Sequence, residues 1–482
     1  MNYPCVVALT LAIAHAHAAH LNPANLVVAR LQDGISSRTA HRGDPVRAVV
    51  VSGTCALPQR TVLDGVIEAV HRVGAGVVHE RALLKVQFRS WEAHDGIRRP
   101  LDASLVDVDN AREQVGPDGR ITGILAAGGP PGFLLGMWQR PTDDLFSRTA
   151  LGLAGVTGFI GQHFRMDPIG IFSVAAVRMA VVPAADPEIW LPAGTDFVLS
   201  VAGVTTECAE RPDLAPVPPN LKSWADALPI ETSRERNGDA ADFTNVVFLG
   251  SRDQVMEAFI AAGWREAEPF TRTSFLHLYQ AMSAQRGYPT APMSTLTLDD
   301  RAPDLELEKS LNTVARRHHV RVWRRGEWEG REAWVGAATH DRAIRLSAHG
   351  FTHSIDRDID RERGRIIDDL TFAGCVDRVQ MVDRQDGSAA LVGEASSDGR
   401  IAVLSLRSCR PSPAVNEAAP RLEPLAERLV RRIVLEARYS VFRGNVYYWG
   451  YRAARAIWVS ARRGREAAAE QDPTQALRAS AR

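Results

Sequence analysis

Asn245-Val-Val-Phe-Leu-Gly-Ser251 decides the fold of the second half of this chain. Val246 to Leu249 form a short unbroken apolar run of β-branched, aromatic and aliphatic residues, the pattern of a buried strand. Gly250 ends it, and Ser251-Arg-Asp-Gln254 is a capping box that opens a helix with Val255, Met256, Phe259 and Ile260 on one face. Gly263 supplies the stop. Outward from there, a second helix is expected over Ser274–Gln285, then strands at His318–Arg325 and Ala333–Asp341 joined by Gly326-Glu-Trp-Glu-Gly330. A third helix runs from about Asp360 to Ala373, where Gly374 stops it, and strands at Val376–Val382 and Ile401–Leu406 close the series. The order βαββαβ, with an extra helix and strand, predicts an α+β sandwich of ferredoxin-like type over residues 241–410.

The first half reads differently. Leu26–Leu31, Val46–Val51, Thr61–Ile67, Ala82–Phe88 and Ala103–Val108 are short alternating runs separated by Gly, Pro, Asn and Asp clusters. That spacing predicts an antiparallel β sandwich or barrel over residues 19–210, so the chain is α+β and multidomain. Leu57-Pro-Gln-Arg-Thr61 recurs as Leu191-Pro-Ala-Gly-Thr195, and Phe197–Val201 after it is expected to be the closing strand of the same domain. Between them lies an apolar, glycine-rich insertion over residues 121–182, with Gly152, Gly155, Gly158 and Gly161 at every third position. On a helix these glycines form a small-residue stripe. A helical lid over the β domain is the expectation, and a membrane-touching or oligomerising hairpin is the alternative.

Residues 211–240 hold Pro212, Pro216, Pro218, Pro219 and Pro229 and then a charged run, a linker composition. Residues 411–470 become basic and aromatic, and residues 471–482 read as a disordered tail. Leu422, Leu425, Leu429 and Ile433 lie at helical spacing. Tyr447, Tyr448, Trp449, Tyr451 and Trp458 then stand among Arg443, Arg452 and Arg455. Aromatic rings with arginine suit an interfacial helix, so these eight residues are the expected membrane contact; packing onto the protein's own surface is the alternative.

Composition narrows the function classes. The 482 residues carry 57 basic and 57 acidic side chains, a net charge of zero, which removes whole-protein steering toward nucleic acid. Lys85, Lys222 and Lys309 are the only lysines. Cys5 to Ala14 is an apolar stretch and Ala16-His17-Ala18 fits a signal-cleavage site, so residues 1–18 read as an export signal, although no basic residue precedes the stretch. In an exported protein the even set Cys55, Cys208, Cys375 and Cys409 suggests disulfides. Three pairings are possible. Cys55–Cys208 and Cys375–Cys409 are the local ones, and four buried thiols are the alternative. After the signal, the best membrane-span candidate is Thr149–Gly161, well short of the roughly 20 residues a spanning helix needs.

Candidate chemistry concentrates at His318, His319, His340, Asp341, His353 and Asp356. Strand alternation places His318 with Val320 and Val322 toward the core, and His319 with Arg321 and Trp323 on an opposite, exposed face. Two or three imidazoles with a carboxylate can hold a divalent metal. Adjacent strand residues point apart, however, so a structural polar network is the expectation and a metal or catalytic site the alternative. Asp356-x-Asp358-x-Asp360 has Arg361 and Ile367 where a calcium loop needs glycine and an acid, so Asp358 or Asp360 is expected to cap the next helix. No G-x-S-x-G elbow, phosphate loop, dinucleotide fingerprint or C-x-x-C occurs.

Asn245–Ser251, Arg316-Arg-His-His-Val-Arg-Val-Trp323, Trp334-Val-Gly-Ala-Ala-Thr-His-Asp341 and Thr352-His-Ser-Ile-Asp356 together form a distinctive set. The set resembles the LssY C-terminal domain family, over roughly residues 243–406. That family brings no established chemistry. Some of its members occur beside membrane-embedded phosphatase-like or transporter-like domains, which implies a role in envelope lipid or export processes. The reading is an exported, cell-envelope-associated protein, periplasmic or held at the envelope. It acts as a non-catalytic binding or scaffold module at the membrane surface. An anionic membrane surface or an envelope protein is the expected partner; nucleic acid is not, and no cofactor is expected. A metal-dependent hydrolase using the His/Asp set is the alternative.

Overall fold

The computed structural model describes residues 25–124, 185–202, 215–409 and 426, 427, 430, 431 and 434, apart from residues 54–56, 77, 80, 93–95, 236–237, 284, 348–349, 385–390 and 393–394. The expected signal, nearly all of the glycine-rich insertion, Cys55, Cys208 and the eight expected membrane-contact residues lie outside the described residues.

Strands β1 (Leu26–Leu31), β2 (Pro45–Ser52), β3 (Val62–His71), β4 (Leu83–Glu92), β5 (Ala103–Val108), β6 (Arg120–Thr122) and β7 (Asp196–Val201) belong to one sheet. Its order is β5-β7-β1-β2-β3-β4-β6, with the short strand Gln114–Val115 beyond β6. β5 also touches β4 and Gln114–Val115, so the sheet curls into a nearly closed antiparallel barrel. Alternation fills the inside: Val27, Ala29 and Leu31 of β1, Ala48 and Val50 of β2, and Phe197, Leu199 and Val201 of β7 share one core. Arg30, Val49 and Val51 point outward. β7, expected as the closing strand of this domain, belongs to the same sheet. It lies between β1 and β5, pairing with both. The recurring Leu-Pro-x-x-Thr segments are the same turn used twice. Thr61 N–H donates to Pro58 O and Thr195 N–H to Pro192 O, with Arg60 and Gly194 at φ 73° and 87°.

The expected linker is not one from Ala215 onward. Helix α1 (Pro219–Asp226) buries Leu221 and Ala225, and strands Glu231–Arg234 and Ala240–Phe243 follow. Pro218 and Pro219 precede or open a helix here rather than stiffen a spacer, since proline suits the first turn.

The second sheet contains β8 (Val246–Leu249), β9 (Leu305–Lys309), β10 (Arg317–Trp328), β11 (Arg331–Ser347), β12 (Gly350–Ile355), β13 (Val376–Asp383) and β14 (Arg400–Leu406). Its helices are α2 (Arg252–Ala261), α3 (Arg272–Ser283) and α4 (Ile359–Phe372). The strand order β9-β10-β11-β8-β14-β13 is antiparallel except where β8 pairs β14 in parallel. The architecture is α+β, as expected. The ferredoxin-like ordering stops at β14, which inserts between β8 and β13 instead of ending the sheet. Helices α2 and α4 cover one face through Val255, Phe259, Ile366 and Leu370, and α1 covers the other through Leu221 and Ala225.

Local chemistry sets the helix ends. Ser251 and Gln254 form the complete capping box on α2, and Asp358 accepts from Asp360 N–H at the start of α4. Both helices stop at a left-handed glycine, Gly263 (φ 88°) and Gly374 (φ 75°). The next residue then bonds back to the last turn, Trp264 N–H to Phe259 O and Cys375 N–H to Leu370 O. The stop at Gly374 delivers Cys375 to the sheet edge, where it is disulfide-bonded to Cys409 just beyond β14. Reducing this bond, or replacing Cys409 with serine, is expected to cost about 2–4 kcal/mol of stability, because the bond closes a 34-residue separation. Denaturant unfolding with and without a reductant reads this directly. An unchanged midpoint would mean the bond adds nothing.

Candidate functional site

The histidines are sorted by strand geometry. Adjacent residues on β10 face opposite sides of the sheet, so His318 and His319 cannot share a site. Register then builds two rows across three strands. Lys309, His318 and His340 align on one face, and Glu308, His319 and Thr339 on the other.

The first row meets the barrel. Helix α4 runs between the two sheets. Ile366 and Leu370 pack on the α+β side, while Phe372 reaches Val49 and Val51 on the outer wall of the barrel. Glu362, Arg365 and Asp369 lie three, four and seven residues apart and form a charged stripe along the helix. Asp369, 0% exposed, receives Arg30 Nη2 at 2.6 Å, Lys309 Nζ at 2.9 Å and the Trp264 indole N–H at 3.0 Å. Arg30 also donates twice to Asp196, its cross-strand neighbour on β7, at 2.9 Å each. Arg365 bonds Asp196 and stands 3.4 Å from Asp109, just past β5. His318 completes the network. Its Nδ1 lies 2.7 Å from Glu362 Oε2 and its Nε2 3.0 Å from Asp109 Oδ2. His340 stacks on it, with ring centroids 4.3 Å apart and planes 19° from parallel.

Arg30, Lys309, Arg365 and protonated His318 thus face Asp196, Asp369, Asp109 and Glu362, four charges against four. The electrostatics follow from burial and pairing. Burial works against charge on His318, but the carboxylates of Glu362 and Asp109 outweigh it and hold its proton well above the usual range. Burial pushes the Glu362 carboxyl up, so this pair keeps its shared proton firmly, and we place it on His318 because two carboxylates flank that ring. His340 goes the other way. Burial first, and then the neighbouring His318 charge, push it down to about 3, so it is neutral, and its Nε2 has no hydrogen-bond partner among the described residues. Asp369 is held well below the carboxylate range, because Arg365, Lys309 and Arg30 overcome its burial. Burial and the nearby Arg30 push the Lys309 ammonium down to about 8.

The second row forms a separate buried cluster. Arg317 reaches Glu308 at 2.8 Å and Asp341 at 3.1 Å, and His319 Nε2 lies 2.6 Å from the Thr339 hydroxyl. His319, expected at the surface, is only 5% exposed. The segment from Ala291 to Ser294 covers this face, its carbonyls accepting from Arg317 and Arg321. Burial pushes Glu308 up to about 7 against the pull of Arg317.

Of the six residues expected at a site, His318 and His340 come together, while His319 and Asp341 lie on the opposite face. Asp356 pairs with Arg361 at 3.4 Å and Arg342 at 3.7 Å near the end of the sheet. His353 sits opposite Ile344 on β12, with its side chain outside the described residues. The sequence reading missed Asp109, Glu362, Arg365, Asp369, Arg30, Asp196, Lys309 and Trp264. Charged residues at helical spacing carry no local mark of burial, and nothing near Asp109 or Asp196 links them to a histidine more than a hundred residues away. With carboxylates on both nitrogens, His318 as it stands cannot serve as a general base.

Residues 225–400 match the family model described as LssY C-terminus. The match begins before Asn245 and takes in the end of α1 and the strand Glu231–Arg234. No curated protein matches the chain. His318, His340, Glu362, Arg365, Asp369, Lys309 and Trp264 fall inside the matched stretch; Arg30, Asp109 and Asp196 fall outside it.

Proposed function

Starting from a chain that carries an LssY C-terminal domain, we propose that it is an exported, envelope-associated, non-catalytic binding or scaffold module, with the LssY domain and the β barrel locked into one unit. The observation that carries this reading is the balanced charge network between the two sheets. Its cations and anions are buried and spent on one another. A catalytic site needs groups left over for a substrate, whereas a rigid docking body needs its parts held in register. The hydrolase alternative loses its expected ligand set as one cluster, since alternation on β10 parts His318 and His340 from His319 and Asp341. Two features support export: the apolar stretch before Ala16-His17-Ala18, and the bonded Cys375 and Cys409, which suit an oxidising compartment. Placement at an anionic membrane surface rests on Tyr447, Tyr448, Trp449, Tyr451 and Trp458 with their arginines.

Cell fractionation with N-terminal sequencing tests the first part. The mature chain is expected outside the cytoplasm, beginning near Ala19. Cytoplasmic protein that keeps Met1 would end the export reading. For the second part, the full chain is expected to bind vesicles containing anionic lipid and to leave them as salt rises. Deleting Arg421–Arg482 should abolish that binding, and equal binding without the segment would assign it to packing instead.

A further inference from the structure

We propose that Asp109, His318 and His340 form a binding site for a divalent transition metal of the zinc type, which staples the barrel to the LssY domain. One ligand comes from the barrel and two from adjacent strands of the α+β sheet, so an ion here joins the two bodies directly. This site stands apart from the envelope role proposed above and survives or fails without it.

Several independent observations point to an ion. A ligand atom from each of the three side chains lies within 4.8 Å of the other two. A tetrahedral ion with bonds of about 2.0–2.2 Å holds its ligands roughly 3.3–3.5 Å apart. Asp109 Oδ2 and His318 Nε2, at 3.0 Å, already stand near that spacing, and His340, stacked 19° from parallel on His318, has to turn as well as draw in for its lone pair to meet the same ion. The ring of His340 stacks on His318, and its Nε2 is buried and has no hydrogen-bond partner among the described residues. A buried ring nitrogen left unpaired costs free energy, and an imidazole ring nitrogen is a common metal ligand. Glu362 is placed as a metal-bound histidine's outer partner is placed, 2.7 Å from His318 Nδ1, fixing the ring so that Nε2 faces Asp109.

Two imidazoles and one carboxylate are intermediate donors that suit zinc, with cobalt(II) as its spectroscopic substitute, and leave a fourth position for water. The ion replaces the proton that His318 Nε2 shares with Asp109, and that proton goes to solvent. Arg365, 3.4 Å from Asp109 Oδ2, opposes the added charge, but it is also bonded to Asp196 and has Asp369 at 3.5 Å. Exchanging one proton for a divalent ion therefore takes the balanced network from neutral to one net positive charge.

The test uses the full chain stripped with a chelator, then titrated with zinc chloride by calorimetry and with cobalt(II) followed by visible absorption. One equivalent is expected, with a tetrahedral cobalt spectrum and a higher unfolding temperature when zinc is present. His340→Ala removes a neutral side chain and leaves the ion-pair network intact, so it is expected to fold and to lose stoichiometric binding. Asp109→Asn should do the same. Glu362→Gln keeps an acceptor for His318 and should weaken binding about 10–100-fold. His319→Ala, on the opposite face, should bind as the wild type does. A wild-type chain that takes up neither zinc nor cobalt overturns the proposal, and so does binding that persists unchanged in both His340→Ala and Asp109→Asn.

Discussion

Replacing Asp369 with alanine is expected to destabilise the protein by about 3–5 kcal/mol, the usual cost of removing one side of a buried ion pair. The carboxylate is fully buried and takes Arg30 at 2.6 Å, Lys309 at 2.9 Å and the Trp264 indole at 3.0 Å. Removing it strands three donors and tips the network from neutral to positive. Lys309, already pushed down to about 8, would relieve part of that by losing its proton. Asp369→Asn keeps an acceptor but not the charge, and should fall between alanine and wild type. Asp377→Ala, at an exposed pair with a 4.0 Å separation, should stay within about 0.5 kcal/mol of wild type. Denaturant titration decides it, and a loss under about 1 kcal/mol for Asp369→Ala would mean the network is not the lock we describe. The pH dependence has a definite sign. Asp369 is held below its ordinary value of 3.8, so its contribution is complete above that pH and is lost as pH falls toward the depressed folded value. The alanine variant should lose less stability than the wild type over that acid range.

Trp264→Ala is expected to cost about 3–5 kcal/mol as well, for a different reason. The ring is among the largest fully buried side chains. It packs edge-on against Phe259 with centroids 5.2 Å apart and tilts over His318 at 6.2 Å. Alanine leaves a cavity under α2 and withdraws one donor from Asp369. Trp264→Phe separates the two effects. It refills most of the volume and should cost about 1 kcal/mol beyond any repacking, the net worth of one buried hydrogen bond. Because the indole and the Asp369 carboxylate touch, Trp264→Phe combined with Asp369→Asn should depart from additivity by about 0.5–3 kcal/mol. Additive losses would show that the indole serves packing alone.

Much of the α+β unit was legible because short-range chemistry wrote it. The capping box at Ser251 and the glycine stops at Gly263 and Gly374 fix helix ends within a few residues of their own positions, with no help from the rest of the chain. Alternation on the Arg316–Trp323 strand correctly sent His318 and His319 to opposite faces. Strand β9 was not legible. Leu305-Glu-Leu-Glu-Lys309 reads as charged surface, yet Glu308 and Lys309 are buried because each finds an opposite charge across the sheet or on α4. His319 was misplaced for a related reason, since the covering segment Ala291–Ser294 lies more than twenty residues away in sequence. The linker reading failed because proline clusters mark spacers and helix starts alike, and only the buried Leu221 and Ala225 tell them apart.

Where α2 and α4 begin and end, most strands of the second sheet and the alternating strands of the first half could be read from the chain alone. These follow from periods of two and 3.6 residues and from turn chemistry, which act over a handful of neighbours. The position of β14, the burial of His319, the pairing of Cys375 with Cys409, and the meeting of Arg30, Asp109 and Asp196 with His318, Lys309 and Asp369 came from tertiary packing. The last of these depends on which outer face of the barrel docks against α4. A charged side chain carries no local mark of whether it will meet water or an opposite charge until the two surfaces close over it.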